Sequence, residues 1–385
     1  MQKSITTKSL PHQYHTYLRT VDLGWIESVF HDKQFGSDEP AHGVLIAQSL
    51  WSLISQDCSD CIVELRSHKV LLGELIPSGL DLPALKMLHI RVDAFDDSEA
   101  STILNSCPNL KKLHISTCKL YGTQLARAIT NLNQNSLKEL YVKCERYTSI
   151  HLVMDALVNN QKASLTSLTF DVDQLHMSRC EQDELDLICG AIMKLKECSK
   201  LQKLILRGFT PVNDECIAPV FDRGNQLQQV QLQGSDISNL SWDRLLTRSS
   251  MQLRVLTLQS NEGTITSLLP SLRKHVHELH SLDITSMTFS APELQYVLAG
   301  CPNLEQLYLG HFKETEVCMG DRLVYEITAR CPKIHTLNLG NLNFTRHGLL
   351  RLTNHSCLKQ VIVSKLNEKH IGNDVSRHVT KFSFV

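Results

Sequence analysis

The chain has 385 residues and a mass of 43.5 kDa, long for one ordinary globular domain, so it holds two or three domains or one repeat array. Lys and Arg number 39 against 40 Asp and Glu, a formal net charge of −1, which argues against a general nucleic-acid binder because counterion release needs concentrated positive charge. With 42% hydrophobic, 21% charged and 6% aromatic residues, the composition excludes overall disorder and points to an aliphatic core.

The N-terminal stretch has no apolar h-region, and no apolar run approaches the roughly 18 residues of a membrane-spanning helix. The 13 cysteines are an odd number in a chain without a secretory signal, so reduced thiols and a cytoplasmic or nuclear location are expected, without a membrane partner.

Taken in chain order, one frame returns again and again: L-x-x-L-x-L. It begins at Leu18 (LRTVDL), is degraded at Ile62 (IVELRS), and returns at Leu85, Leu110, Leu137 and Leu165. It continues at Leu201, Leu227, Leu253, Leu279, Leu304, Ile334 and Leu358. From 201 through 227, 253 and 279 to 304 the steps are 26, 26, 26 and 25, a leucine-rich repeat period. The longer steps, 18 to 62 and 165 to 201, require insertions. Alternation along a strand turns the second and third apolar residues of each frame inward and their neighbours outward.

Between frames the spacing is helical. Leu125, Ile129 and Leu132 form one such set, then Leu240, Leu245 and Leu246, then Leu294, Val297 and Leu298. Ser290-Ala-Pro-Glu293 reads as a capping box with Pro292 in the first turn. A long helix is predicted from Glu181 to Cys198. Each unit is a strand plus a helix, and such a unit buries its apolar face only by stacking on its neighbours. The expected fold is an α/β solenoid, a horseshoe of about 12–13 repeats with parallel strands on the concave face and helices on the convex face. The expected divisions are 1–17, an N-terminal remnant or cap; 18–364, the solenoid, with insertions near 25–43 and 171–200; and 365–385, a C-terminal cap or tail.

Three copies carry a further signature: CPNLKKLHISTC from Cys107, CPNLEQLYLG from Cys301 and CPKIHTLNLG from Cys331. Here the chain resembles the leucine-rich repeat region of F-box proteins, in the cysteine-containing, ribonuclease-inhibitor-like subclass with its C-P-N-L-x-x-L-x-L-x-x-C flavour. The likeness runs from about residue 16 to 364. It implies a substrate receptor of an SCF-type ubiquitin ligase, which binds a target protein on the concave face while other subunits carry the catalysis. A Skp-type adaptor and a cullin are implied only where an F-box is present, and no F-box is evident before Leu18. The alternative is an F-box-less scaffold with no ligase link. The polar position after each strand is Cys118 in one copy and Asn261 in another, but departs from the family pattern elsewhere, so uneven loops are expected.

The outward strand positions are the natural binding surface. From Arg91 to Arg207 they carry five Lys or Arg against two acidic residues. The candidate protein-binding residues are Arg91, Lys112, His114, Tyr141, Lys143, Lys203 and Arg207, with Tyr308 as a second aromatic anchor. They form either a basic half-groove for an acidic or phosphorylated segment, held by charge-assisted bonds, or an ordinary solvated sheet face. Further on, the outward positions are nearly uncharged. His275, His277 and His280 lack the H-E-x-x-H spacing of a zinc protease, and Cys58 with Cys61 is a lone C-x-x-C. No catalytic motif is present, and no metal or cofactor is expected.

Overall fold

The computed structural model describes residues 19–22, 60–68, 81–94, 103–173, 181–209, 212–223, 226–249, 252–259, 264–275, 277–313, 317–363 and 381–384. The expected N-terminal cap, the insertion near 25–43 and residues 174–180 of the second insertion lie outside them. So does most of the expected C-terminal tail.

The chain divides into two compact units between Lys200 and Leu201. The first holds β1 (Thr20–Asp22), β2 (Glu64–His68), β3 (Met87–Ala94), β4 (Lys112–Tyr121), β5 (Glu139–Thr148) and β6 (Ser167–Val172). The second holds β7 (Lys203–Arg207), β8 (Gln229–Gln233), β9 (Val255–Thr257), β10 (Ser281–Phe289), β11 (Gln306–Phe312), β12 (Thr336–Asn338), β13 (Gln360–Val363) and β14 (Lys381–Phe384). Within each unit consecutive strands pair in parallel. The fold is a leucine-rich repeat solenoid.

Every frame read from the sequence starts a strand two residues later, from Leu18 and Thr20 to Leu358 and Gln360. The register then runs straight across each unit. Glu64, Met87, Lys112, Glu139 and Ser167 are successive partners. In the second unit so are Gln229, Val255, Ser281, Gln306, Thr336 and Gln360. β14 adds one strand in the segment expected as a cap or tail, with Lys381 beside Gln360.

This register follows from burial. The second apolar residue of the frame is wholly inaccessible in strand after strand: Leu65, Leu88, Leu113, Leu140 and Leu168, then Leu204, Val230, Leu256, Leu282, Leu307, Leu337 and Val361. A slip of one residue would turn each of these to the opposite face.

Parallel neighbours need a crossover, and helices supply most of them. They are α1 (Gly122–Asn131), α2 (Ile150–Gln161), α3 (Gln182–Lys194), α4 (Asp214–Arg223), α5 (Asn239–Ser249), α6 (Leu269–His275), α7 (Ala291–Leu298), α8 (Val317–Arg330) and α9 (Arg346–Thr353). The helix expected from Glu181 to Cys198 is α3 plus one 3₁₀ turn, Leu195–Glu197. It buries Ile188, Ala191, Ile192 and Leu195, and Lys194 pairs with Asp155 of α2 at 2.8 Å. It therefore packs as a member of the array.

One helical expectation is corrected. Leu240 is 62% exposed, and Trp242 lies inside with Leu245 and Leu246. The helix starts at Asn239, whose side chain is buried and donates to the Thr264 carbonyl at 3.1 Å. Its inward stripe is therefore 239, 242, 245 and 246, the i, i+3 spacing that leaves 240 outside. The Trp242 indole N–H is satisfied by the Gln259 carbonyl at 2.8 Å.

The turns leading into the strands need partners for buried backbone. The C-P-N copies supply them with asparagine: Asn109 Nδ2 donates to the Pro83 carbonyl at 3.0 Å, and Asn303 Nδ2 to the His277 carbonyl at 3.2 Å. Each bond reaches back 26 residues, to the preceding repeat. Gln161 does the same for another turn, accepting from Leu137 N–H at 2.9 Å and donating to the Asn133 carbonyl at 3.2 Å. The cysteines of this signature, Cys107, Cys301 and Cys331, are fully buried. Burial pushes the Cys107 and Cys331 thiols up to about 12, so they act as small apolar groups.

The capping box at α7 is present. Glu293 accepts from the Ser290 N–H at 2.6 Å and the Ser290 hydroxyl at 2.7 Å. It also accepts from Thr266 of the previous repeat at 2.5 Å and pairs with Lys313 of the next at 3.3 Å. Burial opposes the charge, but these bonds outweigh it and hold the carboxyl at about 2.

A carboxyl depressed in the fold stabilises it fully above its unfolded pKa and ceases to do so as pH falls through the folded value. The stability gap between the natural chain and Glu293→Gln is therefore expected to be largest above pH 4.5 and to close towards pH 2. Urea unfolding at stepped pH reads this, and a gap independent of pH contradicts it. Leu256→Ala, with Leu256 wholly buried, is expected to cost about 2–5 kcal/mol in the same assay. A cost near zero would mean that the strand is not packed as described.

Candidate functional site

On the side of each sheet away from the helices, outward residues of successive strands align in rows. In the first unit, one row holds Glu64, Met87, Lys112 and Glu139. The next holds Arg66, His89, His114 and Tyr141, and the third Arg91, Ser116 and Lys143. Residues about 25 apart in the chain thus become neighbours.

The first two rows interlock. Arg66 donates to Glu64 at 2.6 Å. Glu139 takes Lys112 at 3.2 Å on one oxygen and His114 Nε2 at 3.0 Å on the other, so Nε2 of His114 carries the proton. His89 meets His114 edge-on with ring centroids 4.4 Å apart, and His114 meets Tyr141 at 5.6 Å. His89 Nε2 lies 3.7 Å from Glu64 and has no hydrogen-bond partner among the described residues. Arg66, three rings and two flanking carboxylates therefore form one ordered patch.

The electrostatics follow from this packing. Burial works against the Glu139 charge, but hydrogen bonds from Lys112 and His114 hold the carboxyl below its ordinary range. His89 is pushed below 6.5, first by burial, then by the charges of His114 and Arg66, with Glu64 and Glu139 opposing.

The candidate residues now separate. Lys112 and His114 are committed to Glu139. Arg91 and Lys143 are exposed, one on each side of Ser116. Among the described residues neither has an ion-pair partner within 4 Å. Tyr141 is half-buried against His114. The sequence places His89 on the outward face without singling it out as a site residue, and it leaves Glu64 and Arg66 aside because the frame at Ile62 is degraded; the role of each depends on a strand about 25 residues away. The unbroken 20-64-87-112-139 series of strand starts was the signal that could have found them.

In the second unit, Lys203 is half-buried on β7, and Arg207 donates to Gln231 at 2.8 Å. Tyr308 stands between Asp283 and Asn338 in register. Burial first, then the Asp283 charge, pushes its phenol up. Beside it, at the carboxyl ends of β10–β13, lies a hollow of about 270 Å³ that the sequence did not announce.

Of the other motifs, Cys58 lies outside the described residues. His277 is exposed, and the His280 ring bonds the Glu278 carbonyl at 2.7 Å. Among the described residues no group of three or more His, Cys, Asp or Glu is arranged to hold a metal ion. No helix there is long and apolar enough to cross a membrane.

No family model and no curated protein matches this sequence. Solved structures do match it. A chain of the Rad7 and Elc1 complex in yeast superimposes with a TM-score of 0.52 at 16% identity, over 93% of this chain and 92% of that one. A chain of the TLR13–ssRNA13 complex covers 79% of this chain and 46% of its own length at 14% identity, TM-score 0.39. An internalin from Listeria monocytogenes covers 74% and 75% at 13% identity, TM-score 0.39. At these identities the likeness is one of fold.

The row of rings makes a measurable claim. His114→Asn removes one of the charges that lower His89 and should move the His89 titration upward. Glu64→Gln removes a charge that raises it and should move the titration further down. Imidazole NMR resonances followed with pH report both. Opposite shifts, or none, would mean that the two rings are not neighbours.

Proposed function

We propose that this chain is a target-recognition module that binds a partner protein on the open strand face. In this reading it is the receptor subunit of an SCF-type ubiquitin ligase and performs no catalysis itself. The observation that carries the reading is the patch on the first unit. Arg66, His89, His114 and Tyr141 are held by strand packing and by one another, so little side-chain entropy remains to be lost on binding. Tyr and Arg are also the residues that most often anchor protein interfaces. Beside them, Arg91 and Lys143 offer charge to a partner that carries carboxylates or phosphates.

Two further points support the ligase part. The C-P-N-L-x-x-L-x-L-x-x-C copy from Cys107 to Cys118 resembles the repeats of F-box proteins. A chain of similar fold is also found in a complex, that of Rad7 and Elc1. The partner envisaged is a protein with an acidic or phosphorylated segment, and the chemistry of ubiquitin transfer would lie in other subunits.

Two measurements test the two parts separately. Arg91→Ala with Lys143→Ala should weaken target binding by about tenfold and flatten its salt dependence, whereas unchanged binding would remove the basic face from the account. Co-purification of the whole chain with a Skp-type adaptor is expected from the ligase part. Target binding without any adaptor would leave a scaffold with no ligase link.

A further inference from the structure

The hollow in the second unit is a built feature. Its floor is apolar, formed by Leu309, Ile362 and Val363. Its rim carries two asparagines whose orientation is fixed by backbone donors. Asn338 Oδ1 accepts from Gly340 N–H at 3.0 Å, and Asn341 Oδ1 accepts from Phe312 N–H at 2.7 Å. An amide whose oxygen is held in this way has its NH₂ group turned to the other side. Both asparagines line the hollow, and neither NH₂ has a hydrogen-bond partner among the described residues.

The backbone shape is equally specific. Gly310 lies inside β11 and Gly340 two residues beyond β12, and both line the hollow. A Cβ on Gly310 would strike the carbonyls of Ile284, Thr285 and Met287, where β10 bulges, and one on Gly340 would strike those of Leu309 and Gly310. Gly340 also has φ +56°, which an L side chain rarely adopts. These glycines let the strand ends close together beside the hollow.

The wall chemistry selects an occupant. The two NH₂ groups ask for an acceptor and disfavour an ammonium or guanidinium. Asp283 stands next in the row to Tyr308 and binds Thr285, itself a wall residue, through one oxygen at 2.7 Å. Its charge disfavours a second carboxylate and offers an acceptor to a donor. An uncharged group that both accepts and donates on an apolar stem satisfies all of these. The volume of about 270 Å³ lies just below the range of small-molecule sites and suits one inserted side chain.

We infer that this hollow receives a glutamine side chain of the partner protein, its carboxamide oxygen on Asn338 and Asn341 and its NH₂ towards Asp283. The inference rests on the reading that a partner lies on the open strand face. It adds a neutral, hydrogen-bonding anchor in the second unit to the charged patch of the first.

The test uses the whole chain, isotope-labelled, and three soluble probes: N-acetylglutamine methylamide and its glutamate and methionine counterparts. The glutamine probe is expected to shift the side-chain NH₂ signals of Asn338 and Asn341 saturably, and the other two to bind about tenfold more weakly. Asn341→Asp keeps the acceptor for Phe312 N–H but replaces the outward donor, and should abolish the glutamine preference. Ile362→Trp, which fills the hollow from its floor, should block the probe without touching either asparagine. Unmoved asparagine signals, equal binding of the three probes, or unchanged binding by both variants would overturn the inference. No partner takes part, so the hollow can fail while the Arg91 and Lys143 test succeeds, and the reverse.

Discussion

One buried side chain per repeat, held in register with the next, is the constraint from which the rest of this structure follows. A strand and helix of some 26 residues cannot cover its own apolar face, so it must stack. Stacking places Leu65, Leu88, Leu113, Leu140 and Leu168 side by side in the first unit, all wholly buried. With the inward residues fixed, the outward ones have no freedom of row. Glu64, Arg66, His89, His114, Glu139 and Tyr141 meet because their strands cannot slip. The chemistry of the face is thus a consequence of the core.

The two units use that geometry differently. In the first, Lys112 and His114 are matched to Glu139 across strands, and Arg91 and Lys143, without an ion-pair partner among the described residues, stand at one side of that patch. In the second, the outward rows carry amides such as Gln229, Gln231, Gln233 and Asn338, and side-chain amides also hold the backbone in place. Gln259 accepts from Gly234 N–H at 3.0 Å, as Asn341 does from Phe312. A surface of that kind offers directional hydrogen bonds that salt does not screen, whereas the exposed charges of the first unit respond to ionic strength.

The strand array was legible in the sequence because a six-residue frame with period-two burial leaves little ambiguity. All thirteen frames start strands, even IVELRS at Ile62, where buried Ser67 stands in for the last leucine. β14 was missed because Lys-Phe-Ser-Phe contains no leucine frame; it is seen only once its register beside β13 is known. The far halves of β4, β5 and β10 were also invisible, since they continue beyond the frame to Tyr121, Thr148 and Phe289. Leu240 misled because hydrophobicity alone does not say which of Leu240 and Trp242 faces in. The site was legible only in part. Positions facing outward could be listed strand by strand, but a lysine such as Lys112 reads as basic until Glu139, 27 residues on, is seen beside it. The hollow had a trace in the two copies ending L-x-L-G, at Gly310 and Gly340, and its donors depended on which way two amides turn.

The central claim is that recognition takes place on the strand face and not on the helices. A photo-crosslinking amino acid placed at Tyr141 or Tyr308 on the strands, and separately at Arg127 of α1 or Leu350 of α9, tests it in the intact chain. The account predicts that both strand positions capture the same partner protein and that the helix positions do not. Capture of that partner from Arg127 or Leu350, with none from Tyr141 and Tyr308, would contradict it.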